Sequence, residues 1–330
     1  MGLTLVTGAT GTIGNAIVDQ LLANGRDVRC LVRDPEKARA IIPAGADLTV
    51  GDVTDATSVA RAMSDCSAVF HAAGMTEQWV RDTTIFDRLN AGGTKNMVDA
   101  ALAEGVESFV YTSTQDMFDL SANPFDETML SLKPLKSHYE RSKQKAERTV
   151  EKAFDAGLPV RFIHPVATYG PAKGAPTGLN VLIQGLARGA VPVILPGGLP
   201  VVLNEDVARG QLLAEEKGAP GERYILSESY QTLEEIACAV AEIVPNAKVP
   251  NLLPGWTAAL IAEAGELMAS VIGKRPLISR GELSVLRRKG RPSSEKAKRD
   301  LGWQPRTFEV GLAMTVEAIV ADCPSSGFLE

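Results

Sequence analysis

Apolar residues follow two rhythms along the first half of the chain. Short, nearly continuous apolar runs stand at Leu3–Thr7, Val28–Val32, 48–50, 67–71, Ser108–Thr112 and 160–164. Between them lie stretches with helical spacing, as in Thr12–Ala23, where Ile13, Ala16, Ile17 and Leu21 share one side. Similar stretches cover 94–103 and 139–156. Continuous apolar runs read as strands buried on both faces, and a 3.6-residue period reads as an amphipathic helix. Strand and helix in alternation predict an α/β fold, a doubly wound parallel sheet with helices on both faces.

The texture changes after Pro165. Residues 171–178 are rich in Pro, Gly and Ala and read as a loop. Helical patterns follow at 180–188, 205–216, 233–243, 256–272 and 309–321, with strand candidates at 191–195 and 223–226. The expected organisation is a nucleotide-binding domain over 1–170 and a smaller, mostly helical substrate lobe over 171–330. Some segments of the lobe are expected to return to the sheet. Open α/β sheets bind ligands at the carboxyl ends of their strands, where this lobe would sit.

Composition narrows the partners. With 34 basic and 40 acidic residues the net charge is −6, whereas nucleic-acid binders carry a basic face. The basic run Arg287, Arg288, Lys289, Arg291 is short and reads as a solvated helix end. Cys30, Cys66, Cys238 and Cys323 are scattered, so neither a disulfide framework nor a metal site is expected, and a reducing cytoplasmic location fits. The apolar stretch 256–272 is interrupted by Glu263 and Glu266 and does not read as a membrane span.

The segment Thr7-Gly8-Ala9-Thr10-Gly11-Thr12-Ile13-Gly14 joins the first strand to the first helix. Gly8 suits the tight turn, Gly11 lets backbone approach a pyrophosphate, and Gly14 lets helix pack on strand. The helix N-terminus then presents free N–H groups and a positive dipole end to phosphates. The second strand ends in Arg33, followed by Asp34. Arg at this place suits the 2′-phosphate of NADP, whereas an inward acid would select NAD. NADP is the expected cofactor, with Asp34 leaving NAD open.

Tyr139 and Lys143 stand four residues apart in a predicted helix and therefore share a face. A neighbouring ammonium favours a phenolate, so Lys143 is expected to lower the pKa of Tyr139 and make it a usable proton donor and acceptor. The fifth strand ends in three hydroxyls, Thr112, Ser113 and Thr114.

These features together resemble the short-chain dehydrogenases/reductases, with their TGxxGxxG turn and YxxxK pair. Lys298-Arg299-Asp300-Leu301-Gly302-Trp303-Gln304-Pro305 resembles the LGWxP segment of the extended branch. The resemblance covers nearly the whole chain and implies a Rossmann-type domain, enzymatic oxidoreduction of CH–OH groups, and a homodimer through the helices at 94–103 and 139–156. It implies that Thr114, with Ser113 as the other choice, holds the substrate oxygen, and that Lys143 also holds the nicotinamide ribose. Asp52 and Val53 resemble an adenine-contacting pair, and His71, Ala72, Ala73 and Gly74 a small-residue stretch beside the cofactor. His164-Pro165-Val166-Ala167-Thr168-Tyr169-Gly170-Pro171 resembles the RPxxxYGP stretch, whose backbone meets the nicotinamide carboxamide, with His164 in place of Arg. His164 reads as a satisfied buried residue. Asn90 is a candidate for a proton relay, with a capping or surface role as the alternative.

For the substrate, Met75, Trp79, Met117, Phe118, Phe125 and Met129 lie on segments expected to face the nicotinamide, with burial in the core as the alternative. Arg188, Arg209 and Arg280 do not form the cluster a nucleotide-sugar diphosphate requires. The pattern resembles dihydroflavonol reductases and 3β-hydroxysteroid dehydrogenases, and also hopanoid-associated sugar epimerase-like proteins. An apolar ketone or secondary alcohol is the expected substrate. A nucleotide-sugar epimerase or dehydratase with tightly bound NAD is the first alternative, and a non-catalytic NADP sensor the second.

Overall fold

The structure is a computed structural model that describes residues 2–76, 80–174, 176–245, 247–257, 263, 280–288 and 290–321. Trp79, Lys289, Cys323 and most of the helix expected over 256–272 lie outside the described residues.

Seven parallel strands form the central sheet in the order β10-β6-β5-β4-β1-β2-β3. They are β1 (Leu3–Thr7), β2 (Val28–Val32), β3 (Asp47–Val50), β4 (Cys66–His71), β5 (Ser108–Thr112), β6 (Val160–Pro165) and β10 (Arg223–Leu226). Alternate side chains point to opposite faces. Val6 joins one apolar layer, with Ile17, Val18 and Leu21 of α1 (Thr12–Ala23) and Val207 and Ala214 of α8 (Asn204–Lys217). Leu5 joins the other, with Val59 of α3 (Ala56–Met63), Met97 and Ala101 of α5 (Gly93–Glu104), and Val150 of α6 (His138–Asp155). Each fully buried large apolar side chain contributes about 1.5–3 kcal/mol, so these two layers dominate the fold's stability.

The second half of the chain returns to this sheet more fully than its helical texture suggests. Strand β10 pairs with β6, α8 lies against α1, and Trp303 is wholly buried in the same layer, its indole N–H donating to Asp206 O at 2.8 Å. A third apolar cluster joins Tyr169, Leu179, Ile183, Ile236, Val240, Phe308 and Leu312. It packs around a three-stranded sheet of β7 (Ala167–Tyr169), β9 (Gly198–Leu203) and β11 (Ser229–Thr232). Strand β9 is not legible in the sequence because Gly197, Gly198 and Pro200 punctuate it as a turn would. The strand expected over 191–195 is only Val193–Ile194. Among the described residues no helix is long and apolar enough to cross a membrane.

Candidate active site

Because β1 to β6 are parallel, their carboxyl ends share one edge, and every residue expected to carry chemistry follows one of those ends. At β1, Gly8 turns the chain with φ +72, and a Cβ there would lie 2.7 Å from both Ala72 C and Ala73 N. A Cβ on Gly14 would stand 2.2 Å from Gly8 O, so only glycine lets α1 close onto the turn. Thr10 and Gly11 are exposed, and Thr12 and Ile13 half-buried, at the start of α1. Gly11 is the N-cap and supplies no capping side chain, so the first N–H groups of α1 face outward. This turn fits the pyrophosphate of a dinucleotide.

His71, at the end of β4, is a buried strut. Its Nδ1 lies 2.7 Å from Thr7 Oγ1 and its Nε2 3.0 Å from Thr94 Oγ1, and Thr7 Oγ1 also accepts from Ala73 N–H at 3.2 Å. Burial, reinforced by the Lys143 charge, pulls His71 down to about 3, so the ring is neutral. Ala72, Ala73 and Gly74 run past Gly8 toward solvent.

Arg33 is exposed immediately after β2. Asp34 does not compete with it. Its Oδ1 accepts from the N–H groups of Glu36 and Lys37 at 3.2 Å each, capping helix α2 (Pro35–Ile41), and its Oδ2 pairs with Lys37 at 3.1 Å. Those bonds from Lys37 hold the carboxyl below its ordinary range. After β3, Asp52 accepts from Thr54 N–H at 2.9 Å and Thr54 Oγ1 at 2.8 Å. Val53 is buried against Gly93 at the start of α5.

The end of β5 and the first turns of α6 bring the hydroxyl and phenol candidates together. Ser137 and Glu140 form a capping box that starts α6, and Tyr139 and Lys143 face the sheet one turn apart, both buried. The Thr114 hydroxyl stands beside the Tyr139 phenol, favouring its ionised form, and donates to Asp116 Oδ2 at 3.2 Å. Ser113, by contrast, donates to Glu147 on α6. Phe86, from the helical turn α4 (Thr84–Phe86), packs edge-on to Tyr139 with ring centroids 6.4 Å apart.

Lys143 does not act on the phenol as their helical spacing predicts. Its Nζ donates to Thr112 O at 2.8 Å and lies 4.8 Å from the centre of the Tyr111 ring. The Tyr139 phenol is raised above its ordinary value, first by burial and then by the Asp116 carboxylate, with Thr114 opposing. Desolvation of the phenolate outweighs a cation aimed at a carbonyl.

Thr112 Oγ1 donates to Gln211 Oε1 at 3.2 Å, on the opposite face of the sheet. At the end of β6, Pro165 and the following Val166 are buried, Val166 N–H donates to Leu226 O at 3.2 Å, and Thr168 Oγ1 to Val166 O at 3.2 Å. His164 donates from Nδ1 to Thr114 O at 3.1 Å, and its Nε2 stands 3.6 Å from Glu147 Oε1, which also meets Arg223. It thus supports the strand end that carries Thr114. Asn90 lies buried in a π-helix (Asp87–Gly92) that leads into α5. It holds Met75 at both ends, Oδ1 accepting from the N–H at 2.7 Å and Nδ2 donating to the carbonyl at 3.1 Å, and reaches Ser142 at 2.9 Å.

Three expectations need correction. Phe118 and Phe125 form a small core with Ile225, and Met117 is buried, so these three take the core alternative; among the described residues of the expected apolar set, Met75 and Met129 remain partly open. Arg288 is half-buried rather than freely solvated: it bridges Asp116 at 2.6 Å and Glu140. Lys143, turned to the Thr112 carbonyl, does not lower the Tyr139 pKa. Asp116 and Glu147 were missed because nothing local distinguishes a buried acid from an exposed one.

The chain resembles known proteins throughout its length. A putative dihydroflavonol 4-reductase of Synechocystis is 28% identical, covering 94% of this chain and 92% of that protein. A 3-beta-hydroxysteroid dehydrogenase of Mycolicibacterium neoaurum is 27% identical, covering 98% and 90%. The UDP-glucose 4-epimerase of Thermotoga maritima, solved with UDP-glucose, superposes with a TM-score of 0.80 at 24% identity over 97% of this chain and 99% of that one, a likeness of fold. Relatives named as reductases and dehydrogenases, on this Rossmann-type fold, place the chain among NAD(P)-dependent enzymes of the extended short-chain dehydrogenase/reductase type. The family model matches residues 4–227, and the chain belongs to the NAD dependent epimerase/dehydratase family.

Proposed function

We propose that this protein is an NADP(H)-dependent oxidoreductase that interconverts a ketone or aldehyde with an alcohol on a small apolar substrate of steroid-, flavonoid- or terpenoid-like character. The observation that carries the reading is the meeting of the Tyr139 phenol and the Thr114 hydroxyl at the carboxyl edge of the sheet, one helical turn from Lys143. Tyr139 Oη gives a proton to the substrate oxygen on reduction and takes it back on oxidation. Thr114 Oγ1 orients that oxygen; Ser113 is engaged by Glu147 and acts from behind. The nicotinamide, when bound, supplies or accepts the hydride.

Around that centre, Gly8, Thr10, Gly11, Thr12, Ile13 and Gly14 cradle the pyrophosphate, with Thr7 bracing the turn through His71. Arg33 grips the 2′-phosphate; the capping role of Asp34 supports NADP over NAD, because the acid that would hold a ribose hydroxyl is already engaged. Asp52 and Val53 meet the adenine. Ala72, Ala73 and Gly74 line the groove, and Pro165, Val166 and Thr168 offer backbone to the carboxamide. Lys143 and Thr112 together meet the nicotinamide ribose. Phe86 beside Tyr139, and the names of the two curated relatives, support an apolar substrate.

An epimerase that retains NAD is the second reading, supported by the fold likeness to a UDP-glucose 4-epimerase. The two separate in one assay. Purified protein is mixed with NADPH and a panel of cyclic ketones, and the reduced-nicotinamide absorbance is followed. Net NADPH consumption is expected; protein that carries NAD through purification and isomerises a sugar nucleotide without net cofactor turnover would overturn the proposal.

A further inference from the structure

Arg288 comes from a part of the chain far from the helix that bears Tyr139, yet it is built into the site. The segment that follows it runs along the loop after β5: Phe125 N–H donates to Arg291 O at 3.0 Å and Ser293 N–H to Phe125 O at 2.8 Å. Its guanidinium is thereby carried between two carboxylates, Asp116 at 2.6 Å and Glu140, and all three side chains are largely buried. Asp116 is in turn bonded to Thr114, and Thr114 adjoins the Tyr139 phenol. A chain of contacts therefore runs from Arg288 through Asp116 and Thr114 to Tyr139, and Glu140 is the residue next to Tyr139 in α6.

We propose that Arg288 is a positioning residue for Tyr139: by neutralising Asp116 and Glu140 it keeps a bare carboxylate from standing against the phenol. The inference rests on the reading that Tyr139 transfers the proton. The charged and titratable groups in this cluster are Asp116, Glu140 and Arg288. Tyr111 and Lys143 lie behind the phenol, and the Asp87–Lys145 pair of the π-helix and α6 is exposed. Burial raises Asp116 above its ordinary range and Arg288 opposes that rise, while burial and Asp116 raise Tyr139. Removing the guanidinium leaves two largely buried acids facing each other, and the acid nearest the phenol must hold its proton to a higher pH.

The test needs no substrate. The protein is labelled with [13Cζ]tyrosine, the Tyr139 resonance among the five tyrosines is assigned with Tyr139→Phe, and its shift is followed from acid to mildly alkaline pH. In Arg288→Met, a step reporting Asp116 is expected to lie about one to three pH units higher than in the wild type. It is expected to be absent from Arg288→Met/Asp116→Asn, and Arg288→Lys is expected to restore the wild-type curve. Superimposable curves for wild type and Arg288→Met, or a step that survives in the double variant, overturn the proposal. If Arg288→Met does not fold, Arg288→Gln is titrated in its place, with the same upward step expected and superimposable curves again overturning the proposal. Turnover by Tyr139→Phe would instead overturn the functional reading, which this titration does not depend on.

Discussion

Lys143 Nζ donates to the Thr112 carbonyl at 2.8 Å, which ties the helix of Tyr139 to the end of β5 through a buried ammonium. Burial pulls this group down from 10.5 to about 8, with Glu147 opposing the shift. A lysine lowered in this way keeps its charge below about 8 and loses it as pH rises through that value. NADPH affinity is therefore expected to fall several-fold between neutral pH and about two units above it. Fluorescence titration checks this, and Lys143→Met is expected to bind weakly and with little dependence on pH over the same range.

Tyr139 is placed to transfer a proton and contributes little surface to a dinucleotide. Tyr139→Phe is expected to lower kcat about 10²–10⁴-fold, with NADPH binding within a few-fold of wild type. Steady-state kinetics beside fluorescence titration separate the two quantities. Retained turnover would remove Tyr139 from the mechanism.

Arg33 is exposed at the tip of β2, and Asp34 is turned into the cap of α2. Arg33→Ala is expected to weaken NADPH by roughly tenfold or more while changing NADH little, the cost of losing a charge-assisted phosphate contact. Asp34→Ala is expected to leave the NADPH-to-NADH ratio unchanged. Equal losses for both cofactors in Arg33→Ala, or a ratio that moves in Asp34→Ala, would reverse the assignment.

His71 is neutral in the fold because burial pulls it from 6.5 down to about 3. The unfolded chain takes up its proton first as pH falls. The associated stability is present in full above about 6.5 and is lost progressively toward about 3. Lowering the pH from about 6.5 to about 5 is expected to cost about 2 kcal/mol through this residue. Urea unfolding of wild type and His71→Gln at the two pH values measures it: the variant is less stable at neutral pH but has a flatter acid limb.

Helices α5 and α6 expose Leu102 and Phe154, which a partner copy would cover. Light scattering is expected to give a dimer, and Leu102→Lys/Phe154→Lys a monomer. A wild-type monomer at micromolar concentration refutes the expectation.

Local signals made much of the site readable. Gly8 and Gly14 could be placed because no other residue passes the collisions at Ala72 and Gly8 O. Tyr139 and Lys143 could be paired because helical spacing alone puts them on one side. The direction of Lys143 could not be read, because the carbonyl that receives it belongs to Thr112, on another element. The apolar set at Met117, Phe118 and Phe125 was ambiguous for a related reason: composition does not say whether an aromatic faces a pocket or a core.

What the sequence determined by itself is the alternation of strand and helix, the glycine turn, the hydroxyl-bearing strand end and the Tyr–Lys helix, since each depends on residues within a few positions of one another. The electrostatic setting of that helix arises only on folding. Asp116 meets a guanidinium 172 residues away and Glu140 the same one from 148 residues away. Chain separations of that size carry no periodicity. The charge beside Tyr139 is set by folding, because burial and long-range pairing, rather than residue type, fix which groups remain ionised.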